Sequence, residues 1–194
     1  MDMPLDRQDE ISDDALIVLY ANGDMSAART LTLRLTPIAL SHAFRMLNDR
    51  AEAEDVAQEA MLRLWKIAKD WRQGEAKITT WLYRVVANLC TDRLRKKKGV
   101  DIDSIPEPMD DRPSADAGLQ ITARAEALNA ALATLPERQR QAVVLRHIEG
   151  MQNPDIADIM DISVEAVESL TARGKRALAA ALAHRRDELG YSDE

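Results

Sequence analysis

Cysteine is nearly missing: Cys90 is the single one in 194 residues, so no internal disulfide can form. It sits in an apolar run and points to a reducing compartment, a packed thiol being the ordinary reading and a metal or nucleophilic role the minor one. Glycine and proline number seven each, and Ala, Leu and Arg are frequent, which favours helix throughout. No run of alternating β-branched residues is present, so an all-α fold follows. No apolar segment approaches the ~20 residues of a membrane span, and the acidic, polar N-terminus is no signal peptide. The chain is therefore expected in the cytoplasm, without direct membrane insertion. His42, His147 and His184 have no companions at metal-ligand spacing. A Gly-rich phosphate loop, a nucleophile elbow and H-E-x-x-H are also missing. Neither catalysis nor a cofactor is expected.

Charge is present in quantity but unevenly spread. The net charge of −7 argues against free, non-specific binding to nucleic acid. Yet residues 72–98 hold eight basic side chains against Glu75 and Asp92, while residues 101–116 hold six acids against Arg112 alone. Residues 99–118, with three prolines and little apolar periodicity, read as an acidic linker between a domain at 1–98 and another at 119–194.

Within the first domain, Ser12, Asp24 and Asp49 stand at helix starts, and Pro37 implies a kink or restart. The helix from Arg50 places Val56, Ala60, Leu64, Ile67 and Trp71 on one face. Asp55, Gln58 and Glu59 project together elsewhere, with Arg63 one turn on. Such an acidic-amide patch suits a basic partner helix, or is a solvated face. The next helix, started by Thr79 or Thr80, separates a core stripe from the polar ridge Thr80, Arg84, Asn88, Asp92 and Arg95. Trp81 and Tyr83 flank that ridge, near the loop carrying Arg72, Gln73 and Lys77. Hydrogen-bonding groups, cations and aromatics together suit unstacked single-stranded bases. Trp81 as plain core, and the basic run at 95–98 as a solvated helix end, are the plainer readings.

In the second domain, Thr134 and Glu137 form a capping-box pattern, and Gly150 ends the helix that follows. Residues 153–178 then hold two short helical patterns around a tight turn. Asn153 and Pro154 open the first, Asp161 occupies the turn, and Ser163 caps the second. Ala157, Ile162 and Val167 have helix-turn-helix spacing. The outward face of the second helix offers Glu165, Ala166, Glu168, Ser169, Ala172, Arg173 and Arg176 to a partner, DNA first. A helical hairpin in a bundle is the alternative.

Taken together, these segments resemble bacterial sigma factors of the extracytoplasmic-function group, the minimal members of the sigma-70 family. The resemblance lies in D-R-A-E-A-E-D-V-A-Q-E-A-M-L-R-L-W at 49–65, T-W-L-Y-R-V-V-A-N-L-C-T-D-R-L-R at 80–95, L-P-E-R-Q-R-Q-A-V-V-L-R-H-I-E-G at 135–150, and I-A-D-I-M-D-I-S-V-E-A-V-E-S at 156–169. It implies that Asp55, Gln58, Glu59 and Arg63 meet the clamp helices of RNA polymerase core. It implies that Arg72, Gln73, Lys77, Thr80, Trp81, Arg84, Asn88, Asp92 and Arg95 melt and read the promoter −10 element. The −35 element falls to the helix after Ser163, through Ser163, Glu165, Ala166, Glu168, Ser169, Ala172, Arg173 and Arg176. An anti-sigma factor, in some families zinc-binding, is the implied regulator, in a stress response.

Two features depart from that pattern. Related proteins usually carry basic residues where this chain has Glu168 and Leu170, and Gly where it has Asp161. Residues 135–178 hold seven acids against six bases, a poor balance for isolated DNA binding. A sigma-like decoy that only sequesters an anti-sigma factor, and an ordinary helix-turn-helix repressor, are the competing readings.

Overall fold

The computed structural model describes residues 11–72, 74, 77–100 and 116–183. Among the described residues there are eight α-helices and no strand. The first domain holds α1 (Asp13–Ala21), α2 (Met25–Leu47), α3 (Arg50–Ile67) and α4 (Ile78–Val100). A 3-10 turn, Ala68–Asp70, follows α3. The second domain holds α5 (Asp116–Ala133), α6 (Glu137–Val143), α7 (Asn153–Met160) and α8 (Val164–Ala183). The N-terminal ten residues, Gln73, most of the expected linker and the extension of α8 to Glu188 lie outside the described residues. Both ends of the expected linker are helical instead: α4 runs on through Val100 and α5 begins at Asp116.

Helix starts follow local capping chemistry where the cap is local. Backbone N–H groups donate to Ser12 (from Ala15, 3.3 Å), Asp24 (from Ser26, 2.9 Å), Asp49 (from Glu52, 3.1 Å) and Ser163 (from Ala166, 3.3 Å). Asn48 and Asp161 take left-handed φ of 52° and 51°, the geometry Asn and Asp tolerate best after Gly. Elsewhere the expectations change. Pro37 neither stops nor restarts α2, because Leu31, Leu35, Ala39, Ala43 and Met46 on either side of it bury into one core. Helix α4 is capped not by its own threonines but by Asp14, whose carboxylate accepts the Ile78 N–H at 2.7 Å. Thr134 donates to the Ala131 carbonyl, and no side chain caps α6, so the expected capping box is not formed.

The core of the first domain is built from Leu16, Ile17, Leu31, Leu35, Met46, Leu64, Ile78 and Leu82, all fully buried. Each contributes roughly 1.5–3 kcal/mol by leaving water. Cys90 belongs to this core, and burial pushes its thiol up to about 12, so it packs rather than reacts. The helix-turn-helix core joins Ile156, Ala157, Ile159, Met160 and Val167 to Ala142 and Leu145 of the preceding segment. Ile162, expected buried, is only half-buried against it.

Gly174 shows how tightly α8 sits on α6. A Cβ there would lie 2.5 Å from Val143 Cγ2 and 3.0 Å from the Gln139 carbonyl oxygen. Gly174→Ala should destabilise the second domain by about 1–3 kcal/mol despite the better helix propensity of alanine. A thermal midpoint equal to or above that of the parent would contradict this packing.

His42 is fully buried on α2, both ring nitrogens lack a partner, and the Tyr83 ring stands edge-on at 5.1 Å. Burial first, and then the charge of Arg45, pull its pKa from 6.5 down to about 3. The native state therefore refuses a proton that the unfolded chain accepts below pH ~6.5. Stability falls as pH drops through that window, by up to ~1.4 kcal/mol per pH unit from this group. His42→Leu should match the parent at pH ~7.5 and exceed it by about 1 kcal/mol at pH ~5.5 in urea titrations. Arg45, Tyr83 and Glu149 surround the site in both proteins, so parallel pH profiles would rule out His42 as the source.

Candidate nucleic-acid interface

Helix α3 turns Ala53, Val56, Ala57, Ala60 and Leu64 inward, which leaves Asp55, Gln58 and Arg63 exposed and Glu59 half-exposed on the other side. Arg63 Nε donates to Glu59 Oε1 at 2.8 Å, and this bond holds the carboxyl of Glu59 below the usual range. The patch borders a groove of about 610 Å³ whose opposite wall is Leu89, Asp92, Arg93, Lys96 and Lys97 of α4. Arg93 and Lys97 bond across it to Glu52 (2.8 Å) and Asp49 (3.2 Å), so part of the basic block joins α4 to α3. Leu62 stands in the same groove, 49% exposed. Sequence reading passed it over, although a leucine on the charged face of an amphipathic helix was the available signal.

Helix α4 divides its circumference unequally. Ile78, Leu82, Val86, Leu89 and Cys90 enter the first core, while Arg84, Asn88, Asp92 and Arg95 are exposed. Thr80 does not join that ridge: it is buried, at 9% exposure. At ~100° per residue it lies within ~20° of buried Ala87, not beside Asn88, because a row spaced by four drifts ~40° at each step. Trp81 is half-buried on the core with its ring edge-on to Trp71 at 6.5 Å. Arg72 and Lys77 are exposed just before the helix. Tyr83 is not near that loop as expected. It is buried in the helix-turn-helix core and donates to Glu149 Oε2 at 2.8 Å, and burial together with that bond raises its pKa.

On α8, buried Val167 and Gly174 fix the rotation of the helix. Ser163, Glu165, Glu168, Ala172, Arg173 and Arg176 are then exposed, and Ala166 and Ser169 half-exposed, on the face expected to meet DNA. Arg173 Nε donates to Ser169 Oγ at 3.2 Å. Asn153 does not cap α7, whose N-cap is Gln152; its amide instead donates to Glu168 Oε1 at 3.4 Å. Its own backbone N–H, and then the Ser163 hydroxyl, lower the carboxyl pKa of Glu165, and Glu168 adds a second acid to this face beside its arginines.

The two domains meet along α4 and the last turn of α2. Glu149 accepts from Arg45 Nη1 at 3.1 Å and from the Tyr83 hydroxyl, Thr91 donates to Glu137 Oε1 at 2.6 Å, and Arg84 donates to the Asp158 carbonyl. Between them lies a cleft of about 670 Å³, lined by Arg84, Asn88 and Arg95 on one wall and Arg138, Ile159 and Asp161 on the other. Glu149 follows a π-helical turn, Val144–Ile148, that the sequence did not reveal. Among the described residues no group of acids, cysteines and histidines could hold a metal, and no helix is long and apolar enough to cross a membrane.

Comparison with known proteins supplies the family. Residues 31–100 match sigma-70 region 2, and residues 125–178 match sigma-70 region 4. ECF RNA polymerase sigma factor SigM of Mycobacterium tuberculosis is 33% identical over 90% of this chain and 87% of its own length. ECF RNA polymerase sigma factor SigE of Mycolicibacterium smegmatis is 30% identical over 77% of this chain, which spans 59% of that protein. The solved structure of CnrH in complex with the cytosolic domain of CnrY is 25% identical, with a TM-score of 0.64 over 89% of this chain and 97% of that one. Matching both sigma-70 regions in order and most of the length of a 33%-identical relative, the chain belongs to the extracytoplasmic-function sigma factors, the promoter-specificity subunits of bacterial RNA polymerase.

Proposed function

We propose that this sigma factor divides promoter recognition among three faces. Asp55, Gln58, Glu59 and Arg63, with Leu62 as an apolar anchor, dock on basic helices of the polymerase core. Arg84, Asn88, Asp92 and Arg95 take the unpaired −10 strand, and Arg72, Gln73, Lys77 and Trp81 border it. The exposed side of α8 enters the −35 major groove, where Glu168 accepts from a cytosine amino group and Arg173 and Arg176 contact guanine or phosphate. The division into two domains is the one read from the sequence, 1–98 and 119–194, with its inner limits moved to the helix ends at Val100 and Asp116. Regulation by an anti-sigma factor follows the CnrH precedent, a complex with the cytosolic domain of another protein.

The observation that carries this reading is the exposed quartet on α4, polar side chains held on a helix whose opposite side is wholly core. The rigid support lets them meet a flexible strand at little ordering cost. Footprinting of the holoenzyme on a promoter tests it: protection over both elements is expected. The acids of α8 favour one other reading, the decoy that binds an anti-sigma factor and no DNA. Absence of protection at both elements would establish that reading instead.

A further inference from the structure

The exposed face of α8 ties down two of its charged side chains. Glu168 follows buried Val167 and is itself exposed. Asn153, fifteen positions earlier at the start of α7, donates its side-chain amide to Glu168 Oε1 at 3.4 Å. That amide is available because Gln152, not Asn153, is the N-cap of α7. The backbone beneath Asn153 is firmly held. The Gln152 carbonyl accepts the Ile156 N–H at 3.1 Å, the Met151 carbonyl accepts from Arg146 Nη1 at 2.7 Å, and Pro154 has a fixed φ. Arg173 is tethered in a similar way, its Nε donating to Ser169 Oγ at 3.2 Å. One acid and one cation on this face are thus each oriented by a neutral partner.

We infer that Asn153 is a positioning residue for −35 reading: it holds one oxygen of Glu168 so that the other reads a single cytosine, which makes a C·G pair at that position a determinant of this chain's promoters. The inference rests on the proposed −35 role of α8. A neutral amide is the partner such a task needs. Lys or Arg would offset the charge of the acid, and Arg could occupy both oxygens, whereas the Asn153 N–H adds no charge and engages Oε1 alone. Oε2 then offers a single acceptor, matching the one amino hydrogen that a paired cytosine shows in the major groove. Guanine O6 and thymine O4 would set acceptor against acceptor. Adenine has an amino group, but its N7 acceptor stands beside it and repels the same carboxyl group, while the neighbour of the cytosine amino group is a C–H. The tether also removes part of the ordering cost of a long side chain. An acid that weakens DNA binding overall thereby excludes three of the four bases at one position.

The test uses the holoenzyme on a promoter mapped with it, each −35 base pair replaced in turn by the other three, with open-complex yield as the reading. Glu168→Ala identifies the position: preference for cytosine there should fall by about tenfold, the usual cost of one lost base contact, with preferences elsewhere unchanged. Asn153→Ala should weaken the same preference by about three- to fivefold, at that position only. Asn153→Gln keeps the donor on a longer arm and should recover part of it. Asn153→Asp faces Glu168 with a like charge and should lose at least as much as Asn153→Ala, so the test stands should the alanine variant fold poorly. Yield lost evenly over all −35 positions in both variants would make the Asn153–Glu168 bond a mere brace of the helix-turn-helix and overturn the inference. A base other than cytosine favoured at the position that Glu168→Ala marks overturns the cytosine assignment. Should Glu168→Ala alter no position, the −35 role of Glu168 itself falls; should it alter one that Asn153→Ala and Asn153→Asp leave intact, only the positioning falls.

Discussion

Arg140→Ala lowers the free energy of unfolding by about 3–5 kcal/mol, the largest single-residue stability effect expected in the chain. The side chain is 8% exposed and serves two helix ends at once. One Nη donates to the Met46 carbonyl near the end of α2; the other donates to Ala133 at the end of α5 (2.6 Å) and to Leu135 in the turn after it (3.3 Å). Carbonyls in the last turn of a helix have no partner of their own within it, and the negative pole of each helix dipole lies there. One cation therefore stabilises two C-termini, one in each domain. Truncation removes charge-assisted bonds worth about 1.5–3 kcal/mol apiece at best and leaves buried oxygens without donors. Burial lowers the pKa of Arg140, the cost that those bonds offset. Arg140→Lys should recover only part of the loss, because a point charge cannot reach carbonyls on both sides. Urea titration gives the check: a midpoint shift at constant slope, with less than ~1 kcal/mol lost counting against this account.

The second large effect falls on function. Arg84→Ala with Asn88→Ala should slow promoter opening by about a hundredfold, two contacts of ~1–3 kcal/mol each, while core binding stays unchanged. Both side chains are exposed on α4, and the patch at Asp55 and Glu59 lies on α3. Permanganate reactivity of −10 thymines measures the opening, and fluorescence anisotropy with labelled chain measures the core affinity. Loss of both together would mean that α4 also contacts the polymerase. Arg84 has a second partner within the chain, the Asp158 carbonyl, so Asn88→Ala alone gives the cleaner reading of the DNA contact.

What the sequence made legible was local. Ser12, Asp24, Asp49 and Ser163 cap helices whose N–H groups lie two or three residues away, and Asp161 turns the chain where a left-handed residue was needed. The exposed faces of α3 and α8 followed from periodicity, since a core stripe fixes what must face outward. The misses share one cause. Glu137 looked like part of a capping box, but its carboxylate accepts from Thr91, 46 positions away. Tyr83 looked like a stacking residue beside a basic loop, but its hydroxyl serves Glu149, 66 positions on. Asp14 caps a helix that starts 64 residues later. Thr80 was assigned by a spacing of four, and over several turns that spacing departs from the true helical period. Pairings made across a domain seam leave no trace in spacing.

Purified chain mixed with polymerase core on genomic DNA, with the resulting transcripts sequenced from their first nucleotides, measures the central claim directly. The starts should be preceded by one shared pair of −35 and −10 sequences, and should disappear when α3 carries Asp55→Arg and Glu59→Arg. Starts scattered without a common pair, or a chain that never associates with core, would contradict it.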